Sequence, residues 1–183
     1  MLQPGTSAIY SYAMSNLKIH SARPSDMEHV ASLCWAYRDL LIERSVGLPN
    51  MVEAYYAKDS YAALIADLPR IHARPTGDIL VAVLDDQVVG CAMYYPLAEP
   101  GTTEIKRVYV APSARGSRAG RALIQESMAR AKSDGYTRIV LDTMSGLTEA
   151  IALYERLGFQ PCAPYYEADP TFLPYLRFFD HPL

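Results

Sequence analysis

The sequence predicts an α/β (α+β) domain, a mixed sheet of about seven strands flanked by about four helices in the order βααβββαβαββ. Short β-branched or alternating segments interleave with longer segments of helical period. One contiguous unit, Glu104 to Leu123, reads strand, turn, helix. At 183 residues, half of them hydrophobic, the chain is one domain by length and long enough to bury a core.

Residues 1–16 read as a loose polar leader, with Met14 an alternative start, and 17–183 as the single domain. Leu17 to Ala22 is a short first strand, and Pro24-Ser25-Asp26 gives turn and N-cap chemistry to a helix through about Glu43. A second helix, about Asn50 to Leu68, is closed by Pro69 and Pro75. Asp78 to Leu84 and Val88 to Tyr95 form a hairpin through Asp85-Asp86-Gln87, and Pro96 to Gly101 is a break. Thr103 to Val110 is the central strand, Ala119 to Ser133 a helix, Tyr136 to Thr143 a strand and Thr148 to Leu157 a helix. Phe159 to Tyr166 and Phe172 to Phe179 complete the sheet.

Composition narrows the function. A net charge of −3 without a long basic run gives no electrostatic case for nucleic acid. No window of 18 uninterrupted apolar residues and no basic-then-apolar leader occur, so neither a membrane span nor a signal peptide is expected. Cys34, Cys91 and Cys162, odd in number and far apart, suit reduced thiols packed as small hydrophobes, and the cytoplasm is the expected location. His20, His29, His72 and His181 lack metal-ligand spacing, so no metal is expected.

The unit from Glu104 to Leu123 has the layout of an anion site. A strand carrying Val108 and Val110 stops at Pro112, a turn rich in Gly, Ser and Arg follows, and a helix starts near Ala119. Turn and helix N–H groups converge there, and Arg115, Arg118 and Arg121 add full charges suited to a pyrophosphate. Read as Arg115-Gly116-Ser117-Arg118-Ala119-Gly120, the turn resembles the acyl-CoA motif Arg/Gln-x-x-Gly-x-Gly/Ala of the GCN5-related N-acetyltransferases. Arg118 replaces the first motif glycine, which costs about 1 kcal/mol if φ is positive there. Pairing with a phosphate would offset that cost. A second stretch, Ala150 to Phe159, resembles the family's later helix: Ala150, Leu153, Tyr154 and Leu157 share a stripe and Gly158 caps it. Many relatives begin this helix with asparagine, where Leu147 and Thr148 stand here. The resemblance covers roughly residues 17 to 179.

The resemblance implies the GNAT fold, acetyl-CoA as cofactor, and acetyl transfer to a primary amine. Cofactor contacts are expected from Val108, Tyr109, Val110, Arg115, Gly116, Ser117, Arg118, Ala119, Gly120, Arg121 and Tyr154. It also implies a central strand that splays from its neighbour, freeing backbone groups near Val108 and Val110 for the pantetheine arm. An alkylammonium must lose a proton to become a nucleophile, and the leaving thiolate gains from a donor. Glu104, eleven positions before Arg115, matches the strand glutamate that serves as base in several members, and Tyr154 the tyrosine beside the sulfur. Period-2 alternation puts Glu104, Lys106, Val108 and Val110 on one face, with Arg107 and Tyr109 on the other.

Blander roles stand beside these. Glu104 could be a strand carboxylate paired with Lys106 or Arg107, and Tyr154 a packing residue with its hydroxyl on backbone. Tyr37, Tyr55, Tyr56, Tyr61, Tyr94, Tyr95, Tyr165 and Tyr166 fall where the family walls its acceptor pocket. With a carboxylate they would suit a cationic amine, though Tyr165-Tyr166 could instead shape a loop over the pocket. The main expectation is an enzyme acting on a small-molecule amine. The alternatives are a peptide or protein N-terminus as acceptor and a non-catalytic acyl-CoA sensor. The aromatic tail from Phe172 to Phe179 would allow a homodimer.

Overall fold

The computed structural model describes residues 16–45 and 48–183, so the leader expected over 1–16, and Met14 with it, lies all but wholly outside the described residues. One sheet contains β1 (Leu17–Ser21), β2 (Asp78–Leu84), β3 (Gln87–Pro96), β4 (Thr102–Val110), β5 (Arg138–Met144), β6 (Gln160–Pro161) and β7 (Leu176–Pro182). Its spatial order is β1-β2-β3-β4-β5-β7-β6. Every neighbouring pair is antiparallel except β4 and β5, which makes the sheet mixed as expected.

Among the described residues five α-helices accompany it, not about four: α1 (Met27–Arg44), α2 (Pro49–Tyr55), α3 (Lys58–Ile71), α4 (Ala119–Ser133) and α5 (Thr148–Arg156). The expected second helix is two because the chain is extended at Ala57 (φ −53°, ψ 137°). The carbonyl of Tyr56 accepts from Arg38 Nε at 2.6 Å. Its next-turn helical partner is thereby replaced by a buried guanidinium. Pro69 lies inside α3, which ends at Ile71. Only one bond, near the end, lacks its N–H donor, so the ring is tolerated.

α1 and α3 cover one face of the sheet, where Val30, Leu33, Cys34, Tyr61, Ile65 and Leu68 meet Val81, Cys91 and Met93. α4 and α5 cover the other, with Leu123, Ile124 and Tyr154 against Leu80, Ile105, Ile139 and Phe179. Leu123 and Ile124 are fully buried, and each such side chain contributes about 1.5–3 kcal/mol. Asp85 and Asp86 turn the β2–β3 hairpin with φ of 48° and 64°, the positive pair a type I′ turn requires. The last two strands are shorter than the sequence suggests, β6 having two residues and β7 starting at Leu176. The intervening chain carries Tyr165 and Tyr166 as a loop.

Strand β4 departs from simple alternation. Cys91 faces Tyr109 and Met93 faces Lys106, so Arg107 and Val108 together oppose Ala92, and Arg107 has φ +52°. This bulge resets the phase. Ile105, Val108 and Val110 pack toward α4 and α5, whereas Tyr109 packs with α1 and α3. Glu104, Lys106 and Arg107 lie on the α1–α3 side, where they bond Tyr95, Asp142 and Met93. The grouping of Glu104 and Lys106 with Val108 and Val110 is therefore corrected: the extra residue separates them across the sheet.

Candidate active site

β4 and β5 pair only at Thr102–Arg138, Thr103–Ile139 and Glu104–Val140, then part. Beyond Glu104 the β5-facing edge of β4 has no ladder partner among the described residues, the splay that the resemblance implies. A cleft of about 550 Å³ opens there, walled by Val108, Tyr109 and Val110, by Arg115, Gly116, Arg118, Ala119, Gly120 and Arg121, and by Leu153 and Tyr154 of α5. Ser117 is in the same turn but not in this wall; its Oγ accepts the Ala119 N–H at 3.3 Å.

The turn suits an anion by geometry as well as composition. Gly116 has φ +85° and Arg118 φ +68°, so the position where the motif has glycine does require a left-handed backbone, and Arg118 bears the strain. Among the described residues the N–H groups of Gly116, Arg118, Gly120 and Arg121 have no backbone acceptor. They project at the start of α4, beside the exposed Arg115, Arg118 and Arg121. A Cβ built at Gly120 would make only ordinary contact with Leu153 and Val110, at 3.5 and 3.7 Å. These features fit a CoA pyrophosphate, with the free edge of β4 leading away from it.

Tyr154 is 6% exposed and packs on Phe159 and Phe179. Its hydroxyl has no hydrogen-bond partner among the described residues. Burial, helped by the Asp142 charge, raises its pKa well above the usual phenol value, so it stays protonated and able to donate. It also lines a second cavity, of about 300 Å³, on the α1–α3 side, and Tyr37 and Val108 are shared in the same way. Tyr55, Tyr56, Tyr61, Leu64, Lys106, Arg107 and Asp142 contribute to this smaller space.

Glu104 lines neither cavity. It is 2% exposed, and its carboxylate accepts from Tyr95, from Tyr165 at 2.5 Å and from Lys106 at 2.7 Å. Lys106 also bonds Asp142, whose other oxygen accepts from Tyr166 at 3.0 Å. Burial pulls the Lys106 pKa down, but Asp142 and Glu104 outweigh it and hold the amine as an ammonium. The result is two carboxylates sharing one cation, with Asp142 the carboxylate that reaches the smaller cavity.

Sequence reading brought Glu104 and Tyr154 to the same region but missed what joins them. Asp142 interrupts the apolar run Ile139-Val140-Leu141, a signal that could have singled it out. Tyr37 was counted only as one of many tyrosines. Tyr94 belongs elsewhere: its hydroxyl and the Arg74 guanidinium bind Asp134 at 2.6 and 2.5 Å, tying α4 to the sheet.

Residues 46–159 match the acetyltransferase (GNAT) family. Over 115 residues the chain is 36% identical to an uncharacterized N-acetyltransferase of Schizosaccharomyces pombe, covering 62% of this chain and 70% of that protein. A GCN5-related N-acetyltransferase structure from Kribbella flavida aligns with a TM-score of 0.67 at 25% identity, over 91% of this chain and 98% of that one. The PaiA N-acetyltransferase of Thermoplasma acidophilum, solved in complex with coenzyme A, aligns with a TM-score of 0.65 over 91% and 99%. At 16% identity it speaks for the fold alone. With its splayed strands, its turn and its family match in agreement, the chain belongs to the acetyltransferase (GNAT) family and is an acyltransferase of the EC 2.3.1 type.

Proposed function

We propose that the enzyme is an acetyl-CoA-dependent N-acetyltransferase that passes the acetyl group directly to a primary amine of a small molecule. The observation that carries this reading is that two cavities of different chemistry meet at Val108 and Tyr154. Acetyl-CoA supplies a thioester carbonyl as electrophile. Arg115, Arg118, Arg121 and the free N–H groups of the turn hold the pyrophosphate, and the unpaired edge of β4 at Val108, Tyr109 and Val110 receives the arm. Tyr154 gives its proton to the departing sulfur. The ammonium proton passes to the cluster of Glu104, Lys106 and Asp142, with Glu104 the base and Asp142 its contact with the cavity. Two carboxylates against one ammonium leave a negative excess that draws a cationic amine and accepts its proton. Positioning and exclusion of water supply most of the rate, without a covalent enzyme intermediate.

A space of about 300 Å³ suits a small acceptor better than an extended peptide. A buried tyrosine with a free hydroxyl at the junction favours turnover over a sensor. The three cysteines are free thiols, which supports a reducing, cytoplasmic setting, and no helix among the described residues is long and apolar enough to cross a membrane. Phe178 and Phe179 are buried within this chain, so a homodimer would rest on exposed neighbours such as Leu173. The test is thiol release from acetyl-CoA with amino acids, polyamines, aminoglycosides and short peptides, alongside calorimetric CoA binding. Release with one class of small amine is expected; binding without release across the panel would overturn the enzyme's proposed acceptor class.

A further inference from the structure

Cations left without a carboxylate partner mark where anions are to bind, and this molecule distributes them unevenly. Arg44, Arg74, Arg130, Arg138 and Lys106 are in ion pairs. Among the described residues, the cavity-lining cations outside such pairs are Arg115, Arg118, Arg121 and Arg156 in the larger cleft and Arg107 in the smaller cavity. The first four line the cleft expected to hold the cofactor. Arg107 has no such assignment.

Arg107 is half-buried among tyrosines. Its side-chain hydrogen bond among the described residues is a 4.0 Å contact to Met93 Sδ, and its guanidinium also lies beside the Tyr61 hydroxyl. Leaving a guanidinium partly desolvated without a carboxylate is unfavourable. The nearby carboxylates are already engaged, Glu104 by Tyr95, Tyr165 and Lys106, Asp142 by Lys106 and Tyr166. The bulge that gives Arg107 its φ of +52° is also what turns it into this cavity, beside Lys106 rather than across the sheet from it.

We propose that the acceptor is an amine that also carries a carboxylate, of the amino-acid class, and that Arg107 is the residue that recognises the carboxylate. The inference rests on the transferase reading and names the substrate class for the same site. The cluster of Glu104, Lys106 and Asp142 presents one negative charge in excess, and Arg107, next along the bulged strand from Lys106, presents one positive charge. Asp142 of that cluster and Arg107 line the same cavity, so both charges face one bound molecule. A zwitterion complements both, while Tyr37, Tyr55, Tyr56 and Leu64 offer an apolar and aromatic wall for the rest of the molecule.

The experiment compares acetyl transfer to L-phenylalanine and L-leucine with transfer to their decarboxylated counterparts, 2-phenylethylamine and 3-methylbutylamine. It uses the full chain and its Arg107→Asn and Arg107→Lys variants; asparagine accepts positive φ well. The amino acids are expected to exceed the amines in kcat/KM by about 10- to 100-fold, the span of one charge-assisted contact. The ratio should collapse toward unity in Arg107→Asn and be partly retained in Arg107→Lys. Calorimetric acetyl-CoA affinity, unchanged in both variants, shows that they fold. Equal or better turnover of the amines, or a ratio that survives Arg107→Asn, overturns the inference and leaves the transferase intact. Silence toward both series, with acetyl-CoA bound, overturns the small-molecule amine as acceptor, and the inference with it.

Discussion

Most of the larger cleft is walled by one stretch of chain, residues 108–124, whereas the smaller cavity borrows side chains from α1, α2, α3, β4, β5, α5 and β7. The first is made largely from main chain: a strand edge and helix N–H groups that lack backbone partners among the described residues, and two left-handed residues. The second is made from side chains, five tyrosines and a chain of charged groups. Backbone geometry set by a short local sequence gives a site for a group common to many reactions. A wall collected from distant segments gives selectivity, because each segment can vary alone.

Four substitutions break or sharpen that comparison. Gly120→Asp carries bulk and negative charge past the Cβ position into the phosphate end of the larger cleft. It should weaken acetyl-CoA binding by about 100-fold or more by calorimetry, an effect of like charge at short range; affinity that survives would displace the pyrophosphate from this turn. Tyr154→Phe removes the donor where the cavities meet. It should lower kcat by about 10- to 100-fold with acetyl-CoA affinity little changed, a loss confined to the chemical step. If binding falls as steeply as kcat, Tyr154 belongs to the wall alone.

His72 tests the support behind the acceptor side. It is 3% exposed, its Nδ1 faces the Tyr94 carbonyl at 2.9 Å, and its ring packs against Tyr95, which bonds Glu104. Burial lowers its pKa to about 4. A histidine with a folded pKa below its unfolded value stabilises the fold fully above about pH 6.5, and that stabilisation drains away as pH falls toward 4. The change amounts to about 3 kcal/mol at most. Denaturation midpoints of the wild type should therefore fall between pH 6.5 and 4, and those of His72→Gln should fall less; parallel curves would remove His72 from the acid sensitivity. The smallest effect belongs to Arg118→Gly. Relief of the left-handed backbone should raise stability by about 1 kcal/mol, while acetyl-CoA binding weakens several-fold from loss of a phosphate contact. Unchanged stability would mean that the turn does not strain Arg118.

The sequence by itself determined the order of strands and helices, apart from the split of its second helix, and the strand-turn-helix unit from Glu104 to Leu123. Each depends on residues close together in the chain, whose propensities and spacing act locally. The tertiary structure decided the rest. The break between α2 and α3 follows from Arg38 taking the Tyr56 carbonyl. The side of the sheet on which Glu104, Lys106 and Arg107 act follows from a bulge set by pairing with β3. Asp142 enters the site because β4 and β5 part after three pairs, leaving a gap that Lys106 bridges to a residue 36 positions away. Period and propensity carry no information about such contacts, since their energy comes from groups brought together only when the sheet is complete.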